Sequence, residues 1–477
     1  MQAPFSPYLR SIAGGMRQLM ERFYQDFDDV RILCTDSVGF AARVSRQVTT
    51  LSHETMTTER GMVVRVWKNG RYSEAAFNCF DPQDPDRTYA EILPVLQAQF
   101  LLLEKTGTPT YETGHAEDTP CQLYTEMETG RLPEDEDLSA LLQSLKSISQ
   151  KGLSMDPHLV DVQISAQSTH VCKMFLTRNR DMRQSYVYSE GAISCVGSLN
   201  GRMEMSYQGV SGRKGPELFA ALDDLLPQVV KIVQELLTSE RITPGEYDII
   251  TSPEVTGLIA HEAFGHGVEM DMFVKHRALG AEYIGQRVGS DLVSMHEGAL
   301  CATDVTSYAF DDEGTLAGDV TEIDHGILRT GICDALSALR LGCAPTGNGK
   351  RQNFEHKVYT RMTNTIFDSG TSTFEEMIRS IDYGFYLCGM QSGMEDPKHW
   401  GIQCIVERAY EIRNGQLTGK VMSPIVLTGY VPDLLSSISM VSRDREVFGN
   451  GGCGKGHKEW VKVADGGPYL KAKARLG

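Results

Sequence analysis

The chain has 477 residues, of which 41% are hydrophobic and 23% are charged, so it can bury more than one core and is neither disordered nor fibrous. Its 46 Lys and Arg residues face 63 Asp and Glu residues, and the formal net charge of −17 disfavours nucleic acids and anionic membranes as partners. Eleven Cys residues without a Cys-x-x-Cys pair, together with the lack of a long apolar run, predict a soluble protein of the reducing cytoplasm.

The first predicted elements are a helix and the strands that follow it. Apolar residues at helical spacing predict a helix within residues 6–30, and residues 30–34 predict the next strand. Residues 61–66 alternate as a strand does, and the following Asn69-Gly70 pair is typical of a hairpin turn. The chain is therefore expected to begin with a helix, a strand and half of a hairpin.

Further elements complete a first domain of sheet and helices. The acidic segment 132–137 is expected to be a solvated loop, and residues 186–188 and 203–207 predict strands. Residues 216–237 place apolar side chains on one stripe, which predicts a long amphipathic helix. We expect the domain boundary near residue 240.

The composition changes after that boundary. Glycine becomes frequent, and short alternating stretches such as residues 421–427 predict a second half rich in β-structure and turns. The sequence therefore predicts an N-terminal α+β domain over residues 1–240 and a β-rich C-terminal domain over residues 241–477.

Residues 261–266, with the sequence HEAFGH, carry the sharpest chemical signal. A predicted strand at 247–251 is followed by Ser252 as a helix N-cap and Pro253 at the first helical position. In metalloproteases with a His-Glu-x-x-His motif, both His residues lie on one face of a helix and the Glu is the general base. The segment therefore predicts a metal-binding helix.

The spacing of the two His residues requires an irregular helix. They are five residues apart, which at about 100° per residue separates them by about 140° around a regular helix. Either a π-bulge widens the turn, or the helix ends at Gly265 and Gly267 so that His266 turns back towards His261. The conformational freedom of these glycines favours one of the two solutions; two unrelated polar residues at a helix end are the alternative.

A catalytic zinc site needs a third protein ligand and one open position. Cys453 lies in the glycine-rich segment 449–456, where its sulfur is expected to be unshielded on a mobile loop. His457 is a competing ligand, and an inert loop thiol is the other alternative. The same segment partly matches a P-loop, but no Ser or Thr follows Lys455 to hold magnesium, so nucleotide binding is not expected.

On these residues the chain resembles the TldD/PmbA family of zinc metallopeptidases, and specifically its TldD-like, zinc-bearing branch. The resemblance is strongest from about residue 247 onwards. It rests on six ordered segments, at residues 261–266, 311–315, 345–349, 361–364, 438–441 and 453–455.

This resemblance implies a metallopeptidase with an α+β fold whose β-rich C-terminal domain carries the metal-site helix. Zinc would be bound by His261, His266 and Cys453, and Glu262 would be the general base that assists attack by zinc-bound water. The implied substrates are unfolded or extended peptides, in proteolysis or in the maturation of peptide precursors. The implied assembly is a dimer, either of two copies or with a PmbA-like subunit that lacks the motif.

Two departures from the family pattern put substrate preference in doubt. Met270 separates Glu269 from Asp271, and Gly456-His457 stands where relatives have a different pair. Among polar candidates, Asn348 and Asn364 could donate hydrogen bonds to a substrate, but the stabilisation of turns explains them more simply. Similarly, residues 311–313 could bind a cation, although a charged turn is the simpler interpretation.

Two other functions stay open at the level of sequence. One is a non-catalytic partner subunit with a structural zinc, which a fourth ligand such as His457 would support. The other is a metal-dependent hydrolase of a non-peptide amide, for which long unstructured peptides would not compete.

Overall fold

A computed structural model describes residues 1–110, 118–455 and 459–477 of the chain. The N-terminal lobe has four α-helices and eight strands. Its helices are α1 (Pro7–Phe23), α2 (Pro85–Lys105), α3 (Leu138–Met155) and α4 (Leu222–Leu237). Its strands are β1 (Asp29–Val44), β2 (Thr49–Ser52), β3 (Glu59–Lys68), β4 (Arg71–Phe77), β5 (Cys121–Glu126), β6 (Leu159–Leu176), β7 (Arg180–Leu199) and β8 (Arg202–Gly212).

The eight strands form one sheet in the order β4-β3-β1-β6-β7-β5, with β2 paired to β1 and β8 paired to β7. Neighbours are antiparallel except β5, which runs parallel to β7. One face of the sheet packs against the four helices, through apolar clusters around Ile32 and Met174 and around Ala42 and Ile164. The other face packs against the second lobe, so both faces of the sheet are buried.

Most predictions for this lobe are confirmed. The first helix is α1, and the Asn69-Gly70 turn joins β3 to β4 with both residues at positive φ, 51° and 71°. The predicted strand at 30–34 is part of a strand that runs to Val44. The predicted helix at 216–237 is α-helical only from Leu222, because Pro216–Ala221 forms a 3-10 turn. Similarly, the acidic segment contains a short 3-10 turn at Pro133–Asp135.

The C-terminal lobe is rich in strands, as predicted. Its strands are β9 (Gly245–Thr251), β10 (Met295–Glu297), β11 (Val320–Asp324), β12 (Ile327–Leu328), β13 (Gly349–Lys350), β14 (Tyr359–Thr360), β15 (Asn364–Phe367), β16 (Tyr383–Asp396), β17 (Gly401–Arg413), β18 (Gln416–Met422), β19 (Ile425–Tyr430), β20 (Met440–Phe448), β21 (Gly452–Lys455), β22 (Glu459–Lys462) and β23 (Ala464–Leu476). Its α-helices are α5 (Pro253–Ala260), α6 (Asp271–Val274), α7 (Gly280–Tyr283), α8 (Ala335–Leu341), α9 (Phe374–Arg379) and α10 (Val431–Ser436).

Five strands of the larger sheet close on themselves. Strand β23 pairs with β19 and with β9, while β9 reaches β16, which continues through β17 back to β19. Helix α5 packs on this ring, with Val255, Leu258 and Ile259 in the largest apolar core of the chain. The ring therefore holds the predicted metal-site helix against a rigid support.

Other features of the lobe follow from particular residues. The predicted alternating stretch 421–427 is divided between β18 and β19 at Ser423-Pro424. The domain boundary near 240 lies between α4 and β9 and stays a prediction. Of the helices in the described ranges, none has the length and apolarity that crossing a bilayer requires.

Candidate metal centre

The two motif His residues lie side by side because the helix widens between them. Ser252 Oγ accepts a hydrogen bond from Val255 N at 3.4 Å, so the helix begins where the sequence predicts. After α5, a π-helical turn spans His261–Gly265 and is closed by the N–H of His266 donating to the carbonyl of His261. The two imidazole centroids are 5.0 Å apart, so the predicted π-bulge is confirmed.

The role of the two glycines differs from the prediction. Gly265 has φ −56° and ψ −58°, and neither Gly265 nor Gly267 takes a positive φ. A Cβ at Gly265 would lie 2.2 Å from Met362 Sδ, and one at Gly267 would lie 2.7 Å from Glu395 Oε1. Both glycines therefore let the side chains of Met362 and Glu395 approach the backbone closely, and the prediction that conformational freedom explains them is wrong.

Cys453 reaches the same point from the other end of the chain. It lies on β21, which forms a hairpin with β22, and its side chain packs beside Ile332 and Met362. The residue is only 6% exposed, so the prediction of an unshielded loop sulfur is wrong. Its Sγ is 3.3 Å from His266 Nε2.

The structure thus brings together three of the residues that the sequence predicts as ligands. One ligand atom from each of His261, His266 and Cys453 lies within 4.8 Å of the others. Among the described residues no fourth His, Cys, Asp or Glu joins this group. The competing candidate His457 lies outside the described residues.

The three side chains of the group interact strongly through their charges. Burial alone would raise the pKa of the Cys453 thiol, but the two neighbouring imidazoles lower it well below its ordinary value. In turn, the thiolate outweighs burial and raises the pKa of both His261 and His266. Among the described residues, Nδ1 of His261 is buried without a hydrogen-bond partner. Two imidazoles and a thiolate form a donor set that suits zinc, so the residues fit this metal.

Glu262 lies beside these ligands and lines the adjoining cleft. It is the second residue of the π-helical turn and faces Gly393 on β16. A Cβ at Gly393 would lie 2.5 Å from Glu262 Cγ, so a larger residue there would displace this carboxylate. The space for the side chain of Glu262, the predicted general base, therefore depends on Gly393 of strand β16.

A second group of charges orients the ligands. Glu269 accepts a hydrogen bond from His266 Nδ1 at 3.1 Å and pairs with Lys455 Nζ at 3.1 Å. Burial alone would raise the pKa of Glu269, but Lys455 and His266 hold it well below its usual range. Arg361 donates to the backbone carbonyl of Cys453 at 2.8 Å and thereby positions the strand that carries the sulfur.

These orienting residues were not assigned a role from the sequence. The signal for Glu269 was its position three residues after His266, a spacing that brings side chains together on a helical turn. Lys455 lies two residues after Cys453 and so shares its face of a strand. Asp465 gave no local signal, yet its Oδ2 lies 3.9 Å from His261 Nδ1, and burial raises its pKa to about 7.

The cleft above the metal centre has a volume of about 580 Å³. Its walls are the π-helical turn, residues 390–395 of β16 and residues 451–455 around β21. Strand β16 pairs with β17 along its full length, but with β9 only over residues 384–387. Among the described strands none pairs with the rest of that edge, so it is open to an added strand.

The two predicted substrate-binding residues lie in the protein interior. Asn348 donates to Glu297 Oε1 at 3.1 Å, and Asn364 donates to the carbonyl of Gly298 at 3.0 Å. Both side chains have zero solvent exposure. The structure therefore favours the structural role for both amides and gives no support to contact with a substrate.

Residues 311–313 do not form a cation site with other His, Cys, Asp or Glu residues of the described ranges. Asp311 accepts hydrogen bonds from the backbone N–H groups of Glu313 and Thr315, as expected of a turn. Asp312 pairs with Lys173, and Glu313 pairs with Arg65, so this turn joins the two lobes.

Comparison with known proteins identifies similar sequences. A family described as PmbA/TldA metallopeptidase C-terminal domain matches residues 244–473. A metalloprotease of Methanocaldococcus jannaschii is 30% identical over 284 residues, which cover 60% of this chain and 62% of that protein. A metalloprotease TldD homologue of Buchnera aphidicola is 29% identical over 67% of this chain and 68% of its own length. A zinc metalloprotease TldD homologue of Saccharolobus solfataricus is 29% identical over 53% of this chain and 56% of its length.

Solved structures share the fold over nearly the whole chain. A putative modulator of DNA gyrase from Thermotoga maritima superposes with a TM-score of 0.78 at 17% identity, covering 97% of this chain and 99% of that one. TldE from Thermococcus kodakarensis superposes with a TM-score of 0.76 at 16% identity, covering 97% of this chain and 100% of that one. At such identities these structures support the α+β fold alone.

Proposed function

We propose that the chain is a zinc-dependent peptidase of the PmbA/TldD family of metallopeptidases; the match of its C-terminal lobe to the family model and its similarity to TldD homologues support this proposal. In this proposal His261, His266 and Cys453 hold the metal. The observation that carries the proposal is that these three side chains, from distant parts of the chain, meet beside an open cleft. Three protein ligands with a free position are typical of catalytic rather than structural zinc.

The residues around the ligands support this assignment. Glu269 accepts the Nδ1 hydrogen of His266, which leaves Nε2, the atom near Cys453 Sγ, free for a cation. Zinc, when bound, would supply Lewis acidity towards water and towards a substrate carbonyl. Burial of the site in a largely apolar wall strengthens this effect, because charges interact more strongly where water is excluded.

Glu262 is the proposed general base. Its carboxylate accepts a proton from the attacking water and returns it to the amine that leaves when the peptide bond breaks. Support comes from its position next to His261 and from the room that Gly393 provides in the cleft. A non-catalytic subunit would not need a carboxylate in this position, so the intact motif favours the enzyme over the structural alternative.

The proposed substrates are unfolded or extended peptides, in proteolysis or in the maturation of peptide precursors. The free edge of β16 over residues 388–396 supports this class, because an extended peptide can pair with such an edge as an added strand. Backbone pairing depends little on the identity of the side chains. We therefore expect the cleft to discriminate extended from folded chains more strongly than it discriminates one peptide sequence from another. We further propose a cytoplasmic dimer, of two copies or with a PmbA-like subunit.

The proposal is tested by measuring metal content and peptide cleavage on the same purified protein. Wild type should bind about one zinc per chain and cleave a long unstructured peptide, alone or after addition of a partner subunit. Glu262→Gln should retain the metal but lose about 10²- to 10⁴-fold in kcat/KM, the usual contribution of a general base. The exposed Glu282→Gln on α7 is the control and should behave as wild type. Full activity of Glu262→Gln, or a protein without stoichiometric metal, would contradict the proposal.

A further inference from the structure

We propose that Glu395 is a recognition site for a positively charged group of the substrate, so that the cleft prefers peptides with an ammonium or guanidinium group near the scissile bond. This inference rests on the proposed function and names the substrate class of the same cleft. It assigns a role to a carboxylate that neither metal binding nor the general-base step uses.

The evidence begins with the state of the carboxylate itself. Glu395 lies near the end of β16 and lines the cleft beside the metal centre. Both of its carboxylate oxygens are buried, and neither has a hydrogen-bond partner among the described residues. No described Lys, Arg or His forms an ion pair with it. Its Oε1 lies against the turn after His266, 2.7 Å from where a Cβ at Gly267 would stand.

Glu269, another carboxylate beside the metal site, has the partners that Glu395 lacks. Glu269 is more deeply buried than Glu395, and it pairs with Lys455 and accepts a hydrogen bond from His266. A buried carboxylate without donors costs several kcal/mol, roughly, a cost that a cation from a substrate would remove. Glu395 lines the cleft, so the cleft is the route by which such a cation would reach it.

The charge of the cleft favours a cation as that partner. Carboxylates of Glu262, Glu269, Glu395 and Asp465 line it, whereas Lys455 is the one cationic side chain among its described lining residues. Lys455 is already engaged, because it also pairs with Asp271 at 2.6 Å. A bound divalent ion together with the Cys453 thiolate adds only about one positive charge, so the four carboxyl groups still outnumber the cations of the cleft. A neutral or acidic side chain would leave Glu395 without a counter-charge.

Two parts of a peptide carry the required chemistry: its amino terminus and the side chains of Lys and Arg. Both present N–H donors on a cation, and either can form a charge-assisted hydrogen bond with the two oxygens of Glu395. The first source would make the protein an aminopeptidase, and the second would make it an endopeptidase with a basic preference. The experiment separates them.

The test compares unstructured peptides that differ in one charge. One series replaces a single Lys, moved along the sequence, by norleucine, which has a similar length and no charge; the other acetylates the amino terminus. For wild type we expect kcat/KM to be about tenfold to a hundredfold higher for the charged member of one series, the range of a hydrogen bond to a charged group. Glu395→Gln should reduce this ratio to about one. The series that shows the effect identifies the source of the cation.

Asp396→Asn is the matched control, because Asp396 follows Glu395 on the same strand but is exposed and pairs with His399 at 2.6 Å. It should leave the charged-to-neutral ratio unchanged. A binding measurement keeps the inference separate from the proposed function: fluorescence anisotropy of labelled peptides on zinc-loaded Glu262→Gln protein, with and without Glu395→Gln. A lower Kd for the charged peptide that disappears with Glu395→Gln supports the inference even if no cleavage is found. An unchanged charged-to-neutral ratio in Glu395→Gln, in cleavage or in binding, would overturn it.

Discussion

The metal centre and the charge cluster between the two lobes are both buried and polar, but their side chains are satisfied in different ways. In the charge cluster, Arg65 pairs with Glu74 and Glu313, and Arg351 pairs with Glu74 at 2.7 Å. Lys173 and Asp312 form a further ion pair beside them. Each carboxylate there meets a cation from the chain itself.

The metal centre has no such internal balance. Its thiol and two imidazoles face one another beside an open cleft, and neither carboxylate oxygen of the nearby Glu395 has a hydrogen-bond partner among the described residues. Buried charges are stable only when paired, so the first cluster is complete as folded while the second requires something from outside. Burial of polar groups alone therefore does not indicate a functional site. Buried polar groups that lack partners and lie beside a cleft do indicate one.

The largest expected effect on metal binding is its loss from Cys453→Ala. Four-ligand zinc sites contribute about 10–16 kcal/mol, so one ligand is worth roughly 2.5–4 kcal/mol, or about a hundredfold to a thousandfold in affinity. Competition with a chelator measures this loss. Cys195→Ala, at a fully buried cysteine of the N-terminal lobe, is the control and should retain the metal. Equal zinc affinity in the two variants would remove the distinction between the two regions.

In the charge cluster, Arg65→Met should act on stability and not on metal binding. Removing the guanidinium leaves Glu313 buried without its ion pair, which should lower the free energy of unfolding by about 3–5 kcal/mol. Urea denaturation measures this change, and Arg65→Met with Glu313→Gln should recover part of it. A variant that unfolds as wild type does, or that loses zinc while still folded, would contradict the structural role.

The charge cluster should also make the protein sensitive to acid. Burial opposes ionisation of Glu74, but Arg65 and Arg351 outweigh it and lower its pKa from 4.5 to about 2. Because the pKa is lower in the folded state, the resulting stability is complete above about pH 4.5 and is lost as the pH falls towards 2. The contribution is about 3 kcal/mol by linkage. Unfolding curves between pH 2 and 5 should show a steeper dependence for wild type than for Glu74→Gln, and parallel curves would refute this origin.

The smallest expected effect concerns the orientation of a ligand. Glu269→Gln weakens the contact with His266 Nδ1 and leaves Lys455 with less counter-charge, so zinc affinity should fall by about 10- to 100-fold. Glu411→Gln, a buried carboxylate on β17 that pairs with Arg413, is the matched control. If both variants bind zinc equally well, Glu269 has a structural role, as the residues of the charge cluster do, and does not orient His266 for metal binding.

Features within one or two turns of chain were predictable from the sequence. The Asn69-Gly70 hairpin, the start of α5 at Ser252 and the π-helical turn all follow from spacing and backbone preference over a few residues. The wrong predictions concern residues whose surroundings are formed by parts of the chain that are distant in sequence. Cys453 was expected on an open loop, because a glycine-rich segment gives no sign of the hairpin and the apolar neighbours that bury it.

The sequence by itself determined the metal-binding residue types, the irregular helix that pairs two of them, and the division into a mixed and a β-rich half. Only the tertiary structure decided that Cys453 meets His266 across 187 residues and that Glu269 and Arg361 orient this group. It also decided that Glu395 lines the cleft without a hydrogen-bond partner among the described residues. The physical reason is that backbone periodicity acts over a few residues, whereas a ligand set depends on how separate strands pack. Packing also decides which buried polar groups find partners, and so which of them are left for a substrate.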